Sequence, residues 1–283
     1  MNKKHIGFLH PGAMGISLAA TAQNTGHTAY WVSAGRSADT RKRAEGNGLA
    51  ELKTLQALCD ACSVIICVCP PHAATETAER VLACSFEGVY ADVNAISPQR
   101  ARRIGQLMTD AGVTFVDGGI IGGPAWKPET TWLYLSGREA DEVAACFAAG
   151  PLATEVIGDD IGRASALKMC YAANTKGTTA LLCAIVAAAE AMGVREELEK
   201  QWSRHGSEFA QRTLARIRRV TAKAWRFSGE MAEIAATFEA AGLPGGFHKA
   251  ARDVYERIAD FKGADPAPIL QGVLDALLRR DTT

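Results

Sequence analysis

The chain has 283 residues, of which 48% are apolar and 22% are charged, so it is long enough to bury one large or two medium-sized cores. Its 31 basic residues balance its 31 acidic ones, and this neutrality gives no indication of nucleic acid or of an anionic membrane surface as a partner. We therefore expect the partner to be a small molecule.

The sequence predicts neither a membrane helix nor a signal peptide. A membrane helix needs about 20 consecutive apolar residues, and the apolar run 177–189, which has a charged residue on each side, is shorter than that. Near the N-terminus, His10, Pro11 and Gly12 interrupt the apolar residues before a signal-peptide core is complete. We expect a cytoplasmic protein.

Cysteines are crowded into one short part of the sequence. Between Cys59 and Cys69 the pattern is Cys-x-x-Cys followed by Cys-x-Cys, a spacing that raises the question of zinc. However, Cys67 and Cys69 belong to the apolar run SVIICVCP, which is typical of a buried strand. We interpret these cysteines as small core thiols in a reducing compartment and predict no metal site.

Predicted strands and helices alternate through the first half of the chain. Strands are predicted at HIGFL, TAYWVS, SVIICVC, VYADV, VTFVD, TWLYLS and TEVIG, with helices at about 13–24, 73–82, 98–111 and 139–149. This alternation predicts a mostly parallel, doubly wound sheet. From residue 162 onward only helical periodicity remains. We therefore predict an α/β domain over 1–160 and an all-helical domain over 161–283, which begins with a long helix at about 162–192.

The first loop of the chain has the pattern of a dinucleotide-binding turn. Gly12-x-x-Gly15 follows a predicted strand and opens a helix, so that backbone N–H groups and the helix dipole can receive a pyrophosphate. A full fingerprint would have a third glycine at the position of His10. The predicted cofactor-binding residues of this loop are His10, Pro11, Gly12, Ala13, Met14 and Gly15.

The end of the second predicted strand indicates which dinucleotide is bound. NAD-binding chains carry an acidic residue there, about 20 residues after the glycines, to bind the ribose 2′-hydroxyl. This chain instead has Ser33, Arg36 and Ser37, and a guanidinium with hydroxyls suits a 2′-phosphate. We predict NADP, with NAD as the alternative. A solvated, charged helix start is the other interpretation of this segment.

The long helix carries an unusual lysine. At 3.6 residues per turn, Lys168, Tyr171, Thr175 and Thr179 fall on one stripe of an otherwise apolar helix, with Asn174 at the edge. Lysine is rarely buried without a partner, so either the stripe faces a cleft or the charge is compensated. A lysine in a cleft can serve as acid and base if burial lowers its pKa towards neutrality.

Several segments in order resemble the β-hydroxyacid dehydrogenase superfamily, which includes 3-hydroxyisobutyrate and 6-phosphogluconate dehydrogenases and the related imine reductases. The segments are IGFLHPGAMG, VCPPHA, DVNAISP, FVDGGIIGGPA and GRASALKMCYAANTKG. The resemblance covers nearly the whole chain, and it implies a Rossmann-type domain followed by an all-α domain that commonly dimerises. It also implies that Lys168 is the catalytic lysine. From its position one turn after Lys168, Tyr171 is predicted to orient the substrate or relay a proton, with an aromatic packing residue as the alternative.

The resemblance assigns further residues to the binding of cofactor and substrate. Val68, Cys69 and Pro70 would lie along the ribose side of the cofactor, and Asn94, Ala95 and Ile96 would lie near the nicotinamide ribose. The segment 117–123 would hold the polar end of the substrate through backbone N–H groups. The predicted substrate-binding residues are Ile121, Gly122, Gly123 and Asn174.

Two departures from the superfamily pattern concern the substrate. Hydroxy-acid members usually have a serine before the paired glycines, where this chain has Ile121, and an asparagine one turn after the lysine, where it has Ala172. The apolar replacement suits a bulkier or less charged substrate. We predict an NADP-dependent oxidoreductase acting on a small hydroxy or carbonyl compound. The alternatives are an imine reductase and a non-catalytic NADPH-binding dimeric module.

Overall fold

The computed structural model describes residues 3–279 of the chain. The chain divides into two compact units, Met1–Met169 and Cys170–Thr283. The first unit contains the strands, and residues 170–279 of the second unit contain helices and connecting turns without a strand. Among the residues described, no helix combines the length and the apolar character that crossing a membrane requires.

The first unit is built on an eight-stranded sheet with the order β3-β2-β1-β4-β5-β6-β7-β8. The strands are β1 (His5–Phe8), β2 (Thr28–Val32), β3 (Ala50–Leu52), β4 (Val64–Cys67), β5 (Val89–Asp92), β6 (Thr114–Gly122), β7 (Thr131–Ser136) and β8 (Ala153–Val156). Neighbouring strands are parallel except for the antiparallel pair β6 and β7. The predicted mostly parallel, doubly wound sheet is confirmed, whereas the short strand β3 was not predicted.

Helices cover both faces of this sheet. They are α1 (Ala13–Asn24), α2 (Ala38–Gly46), α3 (Leu55–Ala61), α4 (Ala74–Leu82), α5 (Pro98–Asp110) and α6 (Ala140–Ala145). Alternate residues of a strand point to opposite faces, so Ile66 joins an apolar cluster with Leu18 of α1, while Ile65 joins a second cluster with Val81 of α4. Because each central strand is buried on both faces, its sequence is continuously apolar rather than alternating.

The remainder of the described chain is helical, which confirms the predicted all-α C-terminal part. Its helices are α7 (Arg163–Ala172), α8 (Thr178–Ala191), α9 (Arg195–Trp202), α10 (Phe209–Ala240), α11 (Gly246–Arg257) and α12 (Leu270–Leu278). The division between the two units falls within α7, after Met169.

The segment predicted as one long helix is interrupted in the middle. Between α7 and α8 the chain forms a π-helix at Ala173–Gly177. This wider turn leaves backbone carbonyls for side chains to bind: Thr175 Oγ1 donates to the Tyr171 carbonyl, Arg216 to the Thr175 carbonyl and Tyr255 to the Lys176 carbonyl. Thr179 also accepts a hydrogen bond from Arg216, so these two threonines of the predicted stripe contact α10.

Candidate active site

The carboxyl ends of β1 and β4 form the point where the strand order of the sheet reverses. These strands are neighbours, with Phe8 opposite Ile66, but β1 connects through α1 to β2 on one side and β4 connects through α4 to β5 on the other. Open α/β sheets bind ligands in the crevice at such a reversal. The predicted cofactor loops, 10–15 and 68–70, both begin here.

The β1–α1 loop combines a tight backbone contact with open space. A Cβ atom at Gly15 would lie 2.3 Å from the His10 carbonyl oxygen, so only glycine lets the helix start this close to the strand. At Gly12, by contrast, a Cβ would meet nothing within 4 Å. Gly12 is the N-cap of α1, no side chain caps the helix, and Ala13 next to it is exposed. The first N–H groups of α1 are therefore available to an anion.

His10, which replaces the first glycine of the fingerprint, is half-buried near the guanidinium groups of Arg36 and Arg80. Burial, together with the charges of Arg36 and Arg80, lowers the pKa of His10 from 6.5 to about 4, so its imidazole is neutral near pH 7. Its Nδ1 atom is buried and has no hydrogen-bond partner among residues 3–279. The residue therefore brings an unused polar atom to the loop without adding positive charge.

Two arginines, Arg36 before α2 and Arg43 in its last turn, contact carbonyl oxygens of the cofactor loop. Arg36 Nη2 donates to the Leu9 carbonyl at 2.9 Å and Arg43 Nη1 to the Pro11 carbonyl at 3.4 Å. Arg36 Nε is buried without a partner in the described chain, and burial lowers the pKa of this guanidinium. Ser37, by contrast, uses its side chain to cap α2 by accepting from the Thr40 N–H. Ser33 is buried at the end of β2.

The residues predicted on the ribose side are tied together by one buried amide. Asn94 accepts a hydrogen bond from the Cys69 N–H and donates through Nδ2 to Cys67 Sγ at 3.4 Å, so it joins the ends of β4 and β5. Ile96 is buried in the apolar cluster of the α4 face. Among the other predicted positions of this group, Val68, Cys69 and Ala95 are partly exposed and Pro70 is exposed.

The predicted substrate segment is largely a strand. β6 continues to Gly122 and pairs with β7, and its residues after Asp117 extend beyond the end of β5. Gly122 has a φ of +120°, and a Cβ there would lie 2.2 Å from the Thr130 carbonyl oxygen, so this glycine is required by the turn itself. Gly123 has open space around it, and Ile121 is half-buried.

Lys168 lies against this extended part of β6. Its Nζ donates to the Ile120 carbonyl at 2.6 Å, and its side chain is half-buried. The close approach depends on Gly119, because a Cβ at that position would lie 2.7 Å from the Ala164 carbonyl oxygen and 2.9 Å from Lys168 Cβ. The lysine is therefore fixed beyond the end of β5, at the same edge of the sheet as the cofactor loops.

A buried carboxylate holds the start of the helix that carries Lys168. Asp117 accepts hydrogen bonds from the N–H groups of Gly162 and Ser165 and from the hydroxyls of Ser136 and Ser165, at 2.5 to 3.2 Å. Burial raises the pKa of Asp117 although these hydrogen bonds oppose the shift. This network was not predicted from the sequence. An acidic residue that follows a strand, together with a Ser-containing helix start, was the available signal.

The two remaining predicted residues, Tyr171 and Asn174, belong to the second unit. Tyr171 lies one turn after Lys168 on α7 and is 45% exposed. Asn174 is an exposed residue of the π-helix. A π-helical turn within an α-helix is frequently associated with a functional site.

Comparison with known families agrees with this arrangement. Residues 5–149, just over half of the chain, match the NAD binding domain of 6-phosphogluconate dehydrogenase. The chain belongs to the β-hydroxyacid dehydrogenase superfamily. This superfamily consists of NAD(P)-dependent oxidoreductases. Residues 189–258 match a second family, a domain of unknown function designated DUF1932.

Individual relatives of this superfamily member extend the comparison. The chain is 30% identical over 164 residues to an uncharacterized 28.5 kDa protein of Methanothermus fervidus, and the match spans 58% of this chain and 62% of that protein. Conserved protein MTH1747, of unknown function and described as similar to 3-hydroxyacid dehydrogenases, superimposes with a TM-score of 0.66 at 27% identity over 92% of this chain and 99% of that one. Mycobacterium tuberculosis 3-hydroxyisobutyrate dehydrogenase with L-serine shares the fold, with a TM-score of 0.70 at 17% identity over 98% and 100% of the chains.

Proposed function

We propose that this protein is an NADP-dependent oxidoreductase that transfers a hydride between the nicotinamide and a small, 3-hydroxy-acid-like hydroxy or carbonyl compound. The observation that carries the proposal is the position of Lys168. Its Nζ is held 2.6 Å from the Ile120 carbonyl, beyond the end of β5, at the edge of the sheet where the dinucleotide loops also lie. Acid/base chemistry and cofactor binding thus share one edge.

The residues of the β1–α1 loop fit a pyrophosphate. Gly12 leaves open space in front of the uncapped N-terminus of α1, and the helix dipole favours a negative charge there. Pro11, Ala13 and Met14 would contribute backbone contacts around this space. When bound, the nicotinamide supplies or accepts the hydride, and the chain has to bind, orient and protonate the substrate.

Arg36 supports the choice of NADP. Its guanidinium lies above the loop, with Nη2 on the Leu9 carbonyl and Nε without a partner in the described residues. No acidic residue stands at the end of β2, between Ser33 and Ser37, to bind a 2′-hydroxyl. A guanidinium recognises a phosphate through several N–H groups in one plane, so Arg36 and the Ser37 hydroxyl are assigned to the 2′-phosphate.

Lys168 is assigned the proton transfer. In the oxidising direction its amine accepts the hydroxyl proton of the substrate as the hydride leaves, and in the reducing direction its ammonium returns that proton to the carbonyl oxygen. The Ile120 carbonyl orients Nζ, and the Asp117 network orients the helix start. Tyr171 and Asn174 are the candidates for orienting the substrate from the following turns.

Ile121 is the residue that supports a second candidate function, reduction of an imine. Its side chain is half-buried and apolar where hydroxy-acid dehydrogenases of this superfamily usually have a serine, so one polar contact for a carboxylate is lost. Gly122 and Gly123 keep the backbone accessible beside it. Lys168 favours the carbonyl reaction as the first assignment, because hydride addition to a carbonyl leaves an alkoxide that needs a proton donor, whereas a protonated imine accepts hydride without one.

Replacement of Lys168 tests the reaction. Turnover of 3-hydroxy acids, aldehydes and imines is compared between the unaltered protein and Lys168→Met, with Lys127→Met as the control for loss of an exposed lysine in the loop after β6. We expect kcat to fall by about 100-fold or more in Lys168→Met alone, because positioned acid/base groups contribute about that much. Equal rates in all three proteins contradict the role of Lys168. NADPH binding without turnover of any compound supports the non-catalytic module instead.

Replacement of Arg36 tests the cofactor. Fluorescence titration of the unaltered protein with NADPH and NADH should give the tighter binding to NADPH. In Arg36→Met, affinity for NADPH should fall about 10-fold or more while affinity for NADH stays within a factor of about 2, since a bidentate charged contact accounts for the difference. Because NADH serves as the internal control, a parallel loss of both affinities would show that Arg36 supports only the Leu9 loop.

The two domains are assigned different tasks in this proposal. Residues 1–160 bind the dinucleotide, and residues 161–283 bind substrate and form a homodimer. Large apolar side chains of the second unit that lie exposed support dimerisation, among them Met192 at 70% and Ile269 at 71% exposure. Light scattering coupled to size-exclusion chromatography should give twice the mass of one chain, and a mass of one chain refutes the dimer.

A further inference from the structure

Three potential metal-ligand atoms, one nitrogen and two sulfurs, meet where β1 and β4 end. They belong to His10, which follows β1, and to Cys67 and Cys69 at the end of β4, and they all lie within 4.8 Å of one another. The two sulfur atoms are 3.7 Å apart. In the sequence Cys67 and Cys69 are near Cys59 and Cys62, whereas the fold places them beside a histidine that is more than fifty residues away in the chain.

The separation of the sulfur atoms matches a tetrahedral metal site. Two Zn–S bonds of about 2.3 Å at the tetrahedral angle place their sulfurs about 3.8 Å apart, close to the 3.7 Å between Cys67 and Cys69. A Zn–N bond of about 2.0 Å puts the imidazole nitrogen about 3.5 Å from each sulfur. From its present distance of at most 4.8 Å, the His10 nitrogen has to approach by about 1.3 Å or less.

The described residues around these three side chains leave the histidine nitrogen unpaired and donate hydrogen bonds to the two sulfurs, as is usual around a metal site. His10 Nδ1 is buried and has no hydrogen-bond partner among residues 3–279. Asn94 Nδ2 donates to Cys67 Sγ at 3.4 Å and Thr77 Oγ1 to Cys69 Sγ at 4.0 Å. Hydrogen bonds from such outer groups orient the ligands and stabilise thiolates. None of the eight cysteines is in a disulfide, so both sulfurs are available.

We infer that His10, Cys67 and Cys69 bind one Zn²⁺ ion. Two thiolates with one imidazole are ligands that zinc prefers, and three protein ligands leave a fourth position for water. Binding converts two thiols and one aqueous Zn²⁺ into a Zn(S)₂ unit and releases two protons to solvent. The resulting group has no net charge, so it adds no repulsion beside Arg36, whose positive charge interacts with both sulfurs.

Zn²⁺ and the dinucleotide compete for the crevice between the loops 10–15 and 68–70. His10 and Cys69 belong to the loops to which the proposed function assigns the cofactor, so this consequence rests on that function. A metal bound between the two loops fixes them to each other and fills the crevice with an ion and its water. We therefore expect Zn²⁺ to inhibit the enzyme by lowering its affinity for NADPH, with reactivation by a chelator.

Cobalt titration tests the site independently of any activity. The full-length protein, reduced and stripped of metal, is titrated with Co²⁺ and then with Zn²⁺. We expect one equivalent of Co²⁺ to release two protons and to give thiolate-to-cobalt charge-transfer absorption with the visible bands of a tetrahedral ion. Zn²⁺ should then displace the cobalt and abolish these bands without further proton release. A spectrum without thiolate charge transfer overturns the proposal, as does the absence of proton release.

Matched cysteine variants identify the ligands. Cys69→Ser and His10→Ala should each lower the affinity for Co²⁺ by about 10-fold or more. Cys84→Ser, which removes a half-buried thiol outside the cluster, should leave it unchanged, and so should Cys62→Ser of the Cys-x-x-Cys pair. Thermal unfolding of the metal-free variants verifies that they are folded. Unaltered spectra in Cys69→Ser, or loss of binding in Cys62→Ser, overturn the assignment.

Competition is measured last. NADPH affinity of the zinc-loaded protein should be at least about 10-fold weaker than that of the stripped protein, and simultaneous binding of both at full affinity overturns the competition. If the stripped protein does not bind NADPH at all, the proposed function fails, while the cobalt spectrum still decides on the metal site. The two failures are therefore distinguishable.

Discussion

Gly119 lies against α7, the helix that carries the proposed acid/base Lys168. In Gly119→Ala the new methyl group would lie 2.7 Å from the Ala164 carbonyl oxygen and 2.9 Å from Lys168 Cβ. Ordinary contacts begin at about 3.4 Å, so α7 has to move away from β6 by about 0.5 to 0.7 Å. Such overpacking costs about 1–3 kcal/mol of unfolding free energy. The shift also displaces Nζ from the Ile120 carbonyl, and we expect kcat to fall by about 10- to 100-fold.

Gly123→Ala is the matched control for this experiment. It makes the same chemical change four residues further along the chain, where a Cβ meets nothing within 4 Å. Urea unfolding should therefore show the midpoint of Gly119→Ala lowered and that of Gly123→Ala unchanged or slightly raised, with equal slopes. Equal midpoints for the two variants would refute the packing argument. Full activity in a destabilised Gly119→Ala would refute its link to Lys168.

Two further predictions concern buried charges. Burial raises the pKa of Asp92 from 3.8 to about 7, so the folded chain retains a proton that the unfolded chain loses. The free energy of unfolding is therefore highest below about pH 4. It falls between about pH 4 and pH 7, by about 4 kcal/mol at most. In Asp92→Asn, urea midpoints measured from pH 4 to 8 should not show this decrease. Identical pH profiles for the variant and the unaltered protein would contradict the prediction. In the second unit, Lys176→Met removes the partner of the mostly buried Glu230 and should cost about 3–5 kcal/mol of unfolding free energy, less when combined with Glu230→Gln. Arg212→Met, which breaks an exposed pair with Glu208, should cost less than about 0.5 kcal/mol in the same urea unfolding assay, and equal losses would contradict the role of burial.

The elements that the sequence predicted best are those with a strong local signal. Helix α1 begins at Ala13 and ends at Asn24 as predicted, because a glycine turn precedes it and Gly26 follows it. The central strands were found from continuous apolar runs bounded by polar turns. Strand β3 was missed because three residues, Ala50–Leu52, give no periodicity. The π-helix was missed because its carbonyls depend on Arg216 and Tyr255, which come from distant parts of the chain.

The residues of the candidate site likewise fall into those with a local sequence signal and those without one. Gly12 and Lys168 were predicted from local pattern and resemblance, since a turn before a helix and a cation on an apolar helix are visible in a short window. Asp117 was read as part of a substrate segment, but its carboxylate is consumed by the helix start at Gly162 and Ser165. Which carboxylate reaches which N–H group depends on the pairing of β5, β6 and β7, and no local pattern contains that pairing.

By itself, the sequence determined the alternation of the main strands and helices, the change to an all-helical half and the membership of a superfamily, because these depend on periodicity and on short motifs. Only the tertiary structure decided which residues lie beside His10. The sequence presents it as a substitution in a glycine-rich loop and presents Cys67 and Cys69 as core thiols. Parallel pairing of β1 with β4 brings the ends of the two strands together, and a histidine and two cysteines become neighbours. Such proximity arises from long-range strand pairing, which is a property of the fold and not of any single segment.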